Sequence, residues 1–154
     1  MACKEHKMKK KCCDSPPIQE TFNGGYLGMP NIFTPDNDGN NDKLVIQYKG
    51  LNSFKLTIKN GIGTKLFETT NPDEQWDGKH KDKFIYGAFK YKLEAETING
   101  EKINKEGRIC VFTRENNCKS CSCIEDNNDC SYGDQFQDGV ITYQYIEGKP
   151  FKCN

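Results

Sequence analysis

Apolar and polar residues alternate along two long segments of the chain. In "FKLTIKN", Phe54, Leu56 and Ile58 are separated by lysine and threonine, and "GAFKYKLEAETI" continues the same alternation over residues 87–98. A period of two puts apolar side chains on one face of a β-strand and polar side chains on the other. We predict strands in both segments, and also in "KLVIQY", "TKLFETT" and "GRICVFT".

Segments with turn chemistry separate these predicted strands. "NGIG", "NPDEQWDGKHKD" and "NGEK" are rich in the residues that favour turns. Asn99 and Gly100 predict a hairpin with a type I′ turn within "TINGEKI". No segment shows a helical period. Short strands with regular turns predict an all-β fold, an antiparallel β-sandwich over residues 21–114.

The two ends of the chain differ from this central region. Residues 1–20 have no strand or helix period and finish with "DSPPIQE", so we predict a flexible basic tether. Residues 115–154 start with a polar, cysteine-dense stretch that cannot bury a core by itself. We predict a cysteine-rich C-terminal extension that is held by disulfides and ends in a strand or hairpin near Cys153.

Composition narrows the classes of protein that remain. A chain of 154 residues suits one domain with additions, and its formal net charge is zero. A balanced charge gives no support for a nucleic-acid partner. No apolar run reaches the roughly 20 residues that cross a bilayer, and the sequence shows no apolar segment of a signal peptide.

The nine cysteines indicate an oxidising compartment. We therefore expect that a signal segment has been removed. Cys3 starts a lysine-rich tail, which indicates the lipidated cysteine of a bacterial lipoprotein, with a free or intermolecularly paired thiol as the alternative. An even number of disulfide candidates then remains, namely Cys12, Cys13, Cys110, Cys118, Cys121, Cys123, Cys130 and Cys153.

Part of the extension could instead bind zinc. The array C-x2-C-x-C-x6-C is formed by Cys118, Cys121, Cys123 and Cys130. Four thiolates can hold zinc tetrahedrally. Zinc sites usually pair two C-x2-C units across a longer gap, however, and an oxidising compartment favours disulfides. We therefore favour disulfides.

Oxygen-bearing side chains recur in the segment "PDNDGNND". The residues at every second position are Asp36, Asp38, Asn40 and Asp42. This spacing can direct oxygen ligands toward calcium, although the position of Gly39 and the presence of Gln47 do not fit an EF-hand. The alternative is a rigid turn in which the side chains cap backbone N–H groups. We favour the turn and keep calcium as the candidate metal.

No group of residues indicates an enzyme. Trp76 could form a sugar-binding platform, but in a sandwich a single tryptophan is more often core, and we predict core. His6 lies in the tether and His80 in a lysine-rich loop, without an orienting partner in the sequence. No nucleophile elbow, phosphate loop or metalloprotease motif is present. We predict no catalytic residue and no cofactor apart from the candidate calcium.

Three blocks of sequence, in order, carry a resemblance to a known family. "PNIFTPDNDGNND" is similar to its opening P-N-x-F-T-P-N-x-D-G-x-N-D, and "FKLTIKNGIGTKLFETT" to its F-x-L-x-I-x-N-x-x-G-x-x-V-F-E. The segment from "QWDG" to "RICVFT" is similar to its W-D-G, G-x-Y-x-Y and closing hairpin. Residues 29–113 therefore resemble the gliding-motility-associated C-terminal domain of Bacteroidetes, the type B sorting domain of the type IX secretion system.

The resemblance implies an immunoglobulin-like β-sandwich, export to the cell surface and no catalysis. In that family the domain normally ends the polypeptide, whereas here cysteine-rich residues follow it. We expect a non-enzymatic outer-membrane or cell-surface lipoprotein that acts in display, adhesion or envelope contact. Its membrane attachment would be the lipid on Cys3, and its partner a protein at the outer membrane. The alternative is a sorting or accessory component that interacts with the type IX secretion and gliding machinery.

Overall fold

The computed structural model describes residues 15, 17–33, 35, 37 and 42–111, together with the backbone of residues 136–137 and 140–141. The strands in these residues are β1 (Ile18–Phe22), β2 (Gly25–Met29), β3 (Ile32–Phe33), β4 (Gln47–Lys49), β5 (Leu51–Lys59), β6 (Lys65–Thr69), β7 (Lys79–His80), β8 (Lys83–Phe84), β9 (Gly87–Thr97), β10 (Lys102–Val111), β11 (Phe136–Gln137) and β12 (Val140–Ile141).

Two sheets form the body of the fold. A three-stranded sheet has the order β1-β2-β4, and a five-stranded sheet has the order β3-β10-β9-β5-β6. All pairs in them are antiparallel except that of β3 with β10, which is parallel. One hydrophobic core contains side chains from both sheets, among them Leu27 and Met29 from β2 and Leu56 and Leu93 from β5 and β9. The predicted all-β sandwich is confirmed.

The alternation of side chains along β5 and β9 produces the two faces of the larger sheet. Leu56 and Ile58 of β5 and Leu93 of β9 are almost fully buried. The lysines that flank them, Lys55, Lys59 and Lys92, are exposed. Successive side chains of a strand point to opposite faces, so the polar set lies on the outer face. Both strands are therefore found where the sequence predicted them.

The N-terminal half differs from the prediction. β1 begins at Ile18, inside the range that was assigned to the tether, and β2 was not predicted at all. In "KLVIQY", only Gln47 and Tyr48 belong to a strand, while Leu44 forms an isolated bridge with Trp76. Leu44 and Ile46 are buried. The apolar signal in this segment therefore reflects burial rather than strand pairing.

The hairpin between β9 and β10 forms as predicted, but its turn is of another type. Gly100 N donates to Thr97 O over 2.9 Å, and Gly100 has a φ of 81°, while Asn99 is not among the residues with positive φ. A type I′ turn needs positive φ at both central residues. The loop is instead a type I turn followed by glycine in the left-handed region, and the type I′ prediction is wrong.

The C-terminal extension is described only in part. β11 and β12 pair as a short antiparallel hairpin, Phe136 opposite Ile141 and Gln137 opposite Val140. The rest of the predicted cysteine-rich extension lies outside the described residues. Within the described ranges, no helix is long and apolar enough to cross a membrane.

Candidate functional site

Asn31, from the "PNIFTP" segment, connects three parts of the fold. Its side chain is 1% exposed, and Nδ2 donates to the carbonyl oxygen of Ser15 over 2.8 Å. Its own carbonyl oxygen accepts a hydrogen bond from Cys110 N, also over 2.8 Å. Buried polar groups need such partners, because an unpaired one loses its hydration without replacement. Asn31 therefore fixes the segment before β1 and the last strand of the sandwich to one point.

The segment "PDNDGNND", residues 35–42, follows shortly after β3. Asn37 has a φ of 60°, and its backbone N–H donates to Asp42 Oδ1 over 2.8 Å. This is the side-chain capping that the rigid-turn hypothesis predicts. The other candidate ligands, Asp36, Asp38 and Asn40, lie outside the described residues, so calcium binding stays a prediction. In the part of the chain that is described, no group of three or more His, Cys, Asp or Glu side chains could hold a metal ion.

Trp76 lies in the core, as predicted. It is 3% exposed, and its indole Nε1 donates to the carbonyl oxygen of Lys79 over 3.0 Å. Its ring packs against Phe33, Phe67 and Phe89, with centroids 5.6, 6.0 and 6.1 Å away. Buried aromatic rings at these separations stabilise a core through apolar burial and through edge-to-face contacts. Trp76 is therefore a packing residue and is not available as a sugar platform.

Cys110 is the cysteine that the described residues contain. It is fully buried and disulfide-bonded. Its neighbours Ile109 and Val111 belong to the core, so Cys110 lies on the outer face of the five-stranded sheet. The remaining cysteines lie outside the described residues, namely Cys3, Cys12, Cys13, Cys118, Cys121, Cys123, Cys130 and Cys153. Their pairing, and the lipidation of Cys3, stay predictions.

The outer face of the five-stranded sheet is a shallow, open and strongly charged surface. Its lining comes from β5, β6, β9, β10 and the β5–β6 turn, and its charged members are Lys55, Lys59, Lys65, Glu68, Lys90, Lys92, Glu94, Glu106 and Arg108. Six of these are basic and three are acidic. Such an excess of one sign over a flat face produces a local positive potential, although the chain as a whole is neutral.

Strand register brings four of these basic residues into one row. Lys65 pairs with Lys59, Lys59 with Lys90, and Lys90 with Arg108, so the row crosses β6, β5, β9 and β10. We call these four residues the basic row. Like charges directly opposite each other on neighbouring strands are unfavourable. The positively charged side chains of the basic row therefore repel one another in the folded protein.

The neighbouring positions on the same face have mixed charges. Thr57, Lys92 and Glu106 form the next set across β5, β9 and β10. Lys65 is the member of the basic row that has an ion pair, with 3.0 Å between Nζ and Glu68 Oε1, and this hydrogen bond lowers the pKa of Glu68. For the other three members of the row, no carboxylate among the described residues is within ion-pair distance.

The segment before β1 passes along the end of the basic row. Ser15 Oγ accepts a hydrogen bond from Arg108 N over 2.8 Å. Gly107, the preceding residue, allows this approach, because a Cβ there would collide with Ser15 Oγ and would lie 2.9 Å from the Tyr91 hydroxyl oxygen. Tyr91 is itself buried, and burial raises its pKa to about 12. Glycine at 107 therefore lets the N-terminal segment reach Arg108.

Exposed apolar side chains occur in two places among the described residues. Ile62, at the tip of the β5–β6 hairpin, is 89% exposed. Asn60 holds this tip, because its Oδ1 accepts hydrogen bonds from Ile62 N at 3.1 Å and from Thr64 N at 2.8 Å. Phe84, the last residue of β8, stacks with Tyr86, and their ring centroids are 6.3 Å apart.

Catalytic geometry is not found among the described side chains. His80 lies in the β7–β8 hairpin opposite Lys83, and no described carboxylate accepts a hydrogen bond from its ring. His6 lies outside the described residues. The tyrosine and carboxylate pKa shifts have local structural causes, as in Tyr48, whose hydrogen bond to Asp73 Oδ1 at 3.0 Å raises its pKa.

Sequence reasoning did not find the basic row. The period of two already places Lys59 and Lys90 on the outer face, and that signal was available. Which lysines meet depends on strand register, however, and an irregularity between Ile58 and Lys59 shifts the register of β5 with β6. The row is therefore a product of strand pairing that composition and spacing do not reveal.

Comparison with known proteins identifies a matching family and a similar solved structure. The family model described as CHU_C Type IX secretion signal domain matches residues 27–111. The structure titled "The crystal structure of CopC from Methylosinus trichosporium OB3b" is similar at 18% sequence identity and a TM-score of 0.35, covering 48% of this chain and 76% of that chain. No curated protein matches.

Proposed function

Because the chain belongs to the family of CHU_C type IX secretion signal domains, we propose that it is a non-enzymatic display module. Membership of this family implies a destination in the cell envelope or at the cell surface, and the module would act at that location. In this proposal the sandwich is the rigid body, the basic N-terminal segment is the tether, and Cys3 carries the lipid anchor. The module acts by contact with an outer-membrane protein or an envelope polymer.

The observation that carries the proposal is where the family's motif residues lie. Asn31, Phe33 and Trp76, from the first and third matching blocks, are buried and pack or hydrogen-bond within the fold. Residues used in this way maintain a scaffold and do not perform chemistry on a substrate. The exposed surfaces of the module, above all the charged outer face, are then what a partner meets.

The first experiment is the intact mass of the protein from its native host, measured non-reduced and again after reduction and alkylation. Acyl mass on a chain that begins at Cys3, with eight cysteines alkylated only after reduction, is the expected result. The matched control is Cys3→Ser, which must lose the acyl mass and retain the disulfides. An unlipidated chain whose thiols alkylate without reduction would overturn both anchor and disulfides, and would favour zinc at the extension cysteines.

A second candidate function is supported by the family match itself. A sorting or accessory component of the type IX secretion apparatus would need residues 29–154 to export a fused cargo. Deleting these residues from such a fusion would then abolish secretion, whereas deleting the tether would not. If the fusion is secreted equally well without residues 29–154, this candidate is excluded and the display module remains.

A further inference from the structure

We propose that the basic row, together with the exposed tip at Ile62, is a docking surface for a membrane whose headgroups are anionic. This surface belongs to the folded sandwich, and it does not depend on lipidation of Cys3. It therefore goes beyond display through a lipid anchor, because it also sets the orientation of the domain on the bilayer.

The arrangement of charge along the basic row favours an anionic partner. Lys59, Lys90 and Arg108 are neighbours across three strands, and they have no ion-pair partner among the described carboxylates. Adjacent strands are about 4.8 Å apart, so three or four positive groups lie along one nearly straight line. A row of this kind repels itself in the free protein and is neutralised when it faces a layer of negative headgroups.

An exposed apolar tip lies at the same end of the sheet as the basic row. Lys59 is the last residue of β5 and Lys65 the first of β6, so the turn that carries Ile62 starts directly beside the row. Ile62 is 89% exposed, which leaves its side chain without a described packing partner. A basic surface with an apolar residue at its rim has the chemistry of interfacial membrane binding, in which charge attracts the protein and apolar contact holds it.

Two other occupants fit this surface less well. A nucleic-acid strand would need aromatic platforms for its bases, and Tyr91, the aromatic residue that borders this face, belongs to the core and is 6% exposed. A peptide bound in a groove would need an apolar pocket, whereas the described face is shallow and lined mainly by charged side chains. An extended layer of anionic groups matches a flat charged face with one apolar rim residue.

The test uses the full chain with Cys3→Ser, so that no acyl group contributes. Its sedimentation with vesicles of phosphatidylcholine containing about one third phosphatidylglycerol is compared with that on phosphatidylcholine alone. Each basic residue near an anionic surface adds about fivefold to partitioning. The variant Lys59→Gln/Lys90→Gln/Arg108→Gln is therefore expected to lose on the order of a hundredfold at low salt. Ile62→Ser is expected to lose several-fold.

The matched control removes the same charge elsewhere. Lys43, Lys81 and Lys83 are exposed and have no ion pair among the described residues, so Lys43→Gln/Lys81→Gln/Lys83→Gln changes the net charge equally. It should retain most of the binding. The row variant should be at least as resistant to heat as the control, because it loses a like-charge repulsion, and this outcome shows that it is folded.

Several results would overturn the proposal. Equal losses in the row variant and the control variant would mean attraction by net charge alone. Equal partitioning onto both vesicle types would exclude headgroup charge. Binding to the probe heparin without binding to vesicles would identify an anionic polysaccharide as the occupant. Binding to vesicles only after Asp126→Asn/Asp129→Asn/Asp134→Asn would mean that the acidic extension of the chain itself occupies the row.

Discussion

Lys105 of β10 and Glu20 of β1 form an ion pair between the two sheets of the sandwich. β10 pairs with β3 only at Cys110 and Val111, so residues 102–109 have no strand partner on that side among the described residues. Lys105 lies opposite the buried Leu93 on β9, which places it on the inner face. A charge that points inward on an exposed edge discourages pairing with another chain.

We expect Lys105→Val to make the protein self-associate through β10. The substitution removes the inward charge and leaves Glu20 without its partner, while the free edge of the strand remains. Light scattering over a concentration series measures the effect. Lys105→Arg, which keeps the charge, is the matched control and should behave as wild type. A Lys105→Val chain as monomeric as the control would show that the edge is protected by other means.

We expect Asn31→Ala to lower the free energy of unfolding by about 1–3 kcal/mol, because the carbonyl oxygen of Ser15 loses its buried donor. Urea unfolding followed by Trp76 fluorescence measures this loss. Asn104→Ala, at an exposed position of β10, is the control and should stay within about 0.5 kcal/mol of wild type. Similar midpoints for the two variants would contradict the role assigned to Asn31.

We expect Trp76→Ala to destabilise the sandwich by about 3–5 kcal/mol, as large-to-small changes of aromatic core residues do. Phe33, Phe67 and Phe89 would all lose the ring they pack against. Trp76→Phe keeps an aromatic ring and removes the hydrogen bond to Lys79 O, so its loss should be clearly smaller. Thermal unfolding by circular dichroism measures both. A loss for Trp76→Ala no greater than that for Trp76→Phe would argue against the aromatic cluster.

We expect the buried hydroxyl group of Tyr91 to make the folded protein less stable at alkaline pH. Burial raises its pKa from 10.0 to about 12, so the folded protein holds the phenolic proton more tightly than the unfolded chain does. The contribution is complete below pH 10 and declines as the pH rises from about 10 to about 12, since only the unfolded chain gains by ionising. Two pKa units correspond to about 3 kcal/mol at most.

The control for this pH dependence is Tyr91→Phe. The hydrogen bond to Asp73 also raises the pKa of Tyr48, so Tyr91 is not the only group that contributes at alkaline pH. The informative quantity is therefore the difference between the two unfolding free energies at each pH. This difference should change by about 1–3 kcal/mol between pH 9.5 and pH 12. A difference that does not vary with pH would contradict the burial of the Tyr91 hydroxyl.

The sequence predicted the strands that cross the middle of the larger sheet, and the reason is physical. β5 and β9 each have one buried and one exposed face, so apolar and polar residues alternate along their sequences. β2 reads "GYLGM", with two glycines and with Leu27, Gly28 and Met29 buried in succession. Such a strand has no alternation to detect.

Parts of the fold that depend on pairing were outside the reach of the sequence. Asn99 and Gly100 predicted a hairpin. Whether its turn is type I′, or type I followed by a glycine with positive φ, depends on one residue of loop length, which residue propensities do not determine. The basic row depends on the register of four strands. In the motif "PNIFTP", the resemblance to a family marked Asn31 as part of a signature, whereas its contacts with Ser15 and Cys110 became visible only in the fold.

The parallel pair of β3 and β10 has a consequence for the order in which the domain is completed. Ile32 and Cys110, which are partners in this pair, are 78 positions apart in the chain. Closing so long a loop is slow, because the entropy of the intervening chain is lost before the contact is gained. In a chain that is synthesised from its N-terminus, β3 cannot pair with β10 until residues 110 and 111 have been added. The edge of the five-stranded sheet at β3 is therefore completed only after the other strands of this sheet are available.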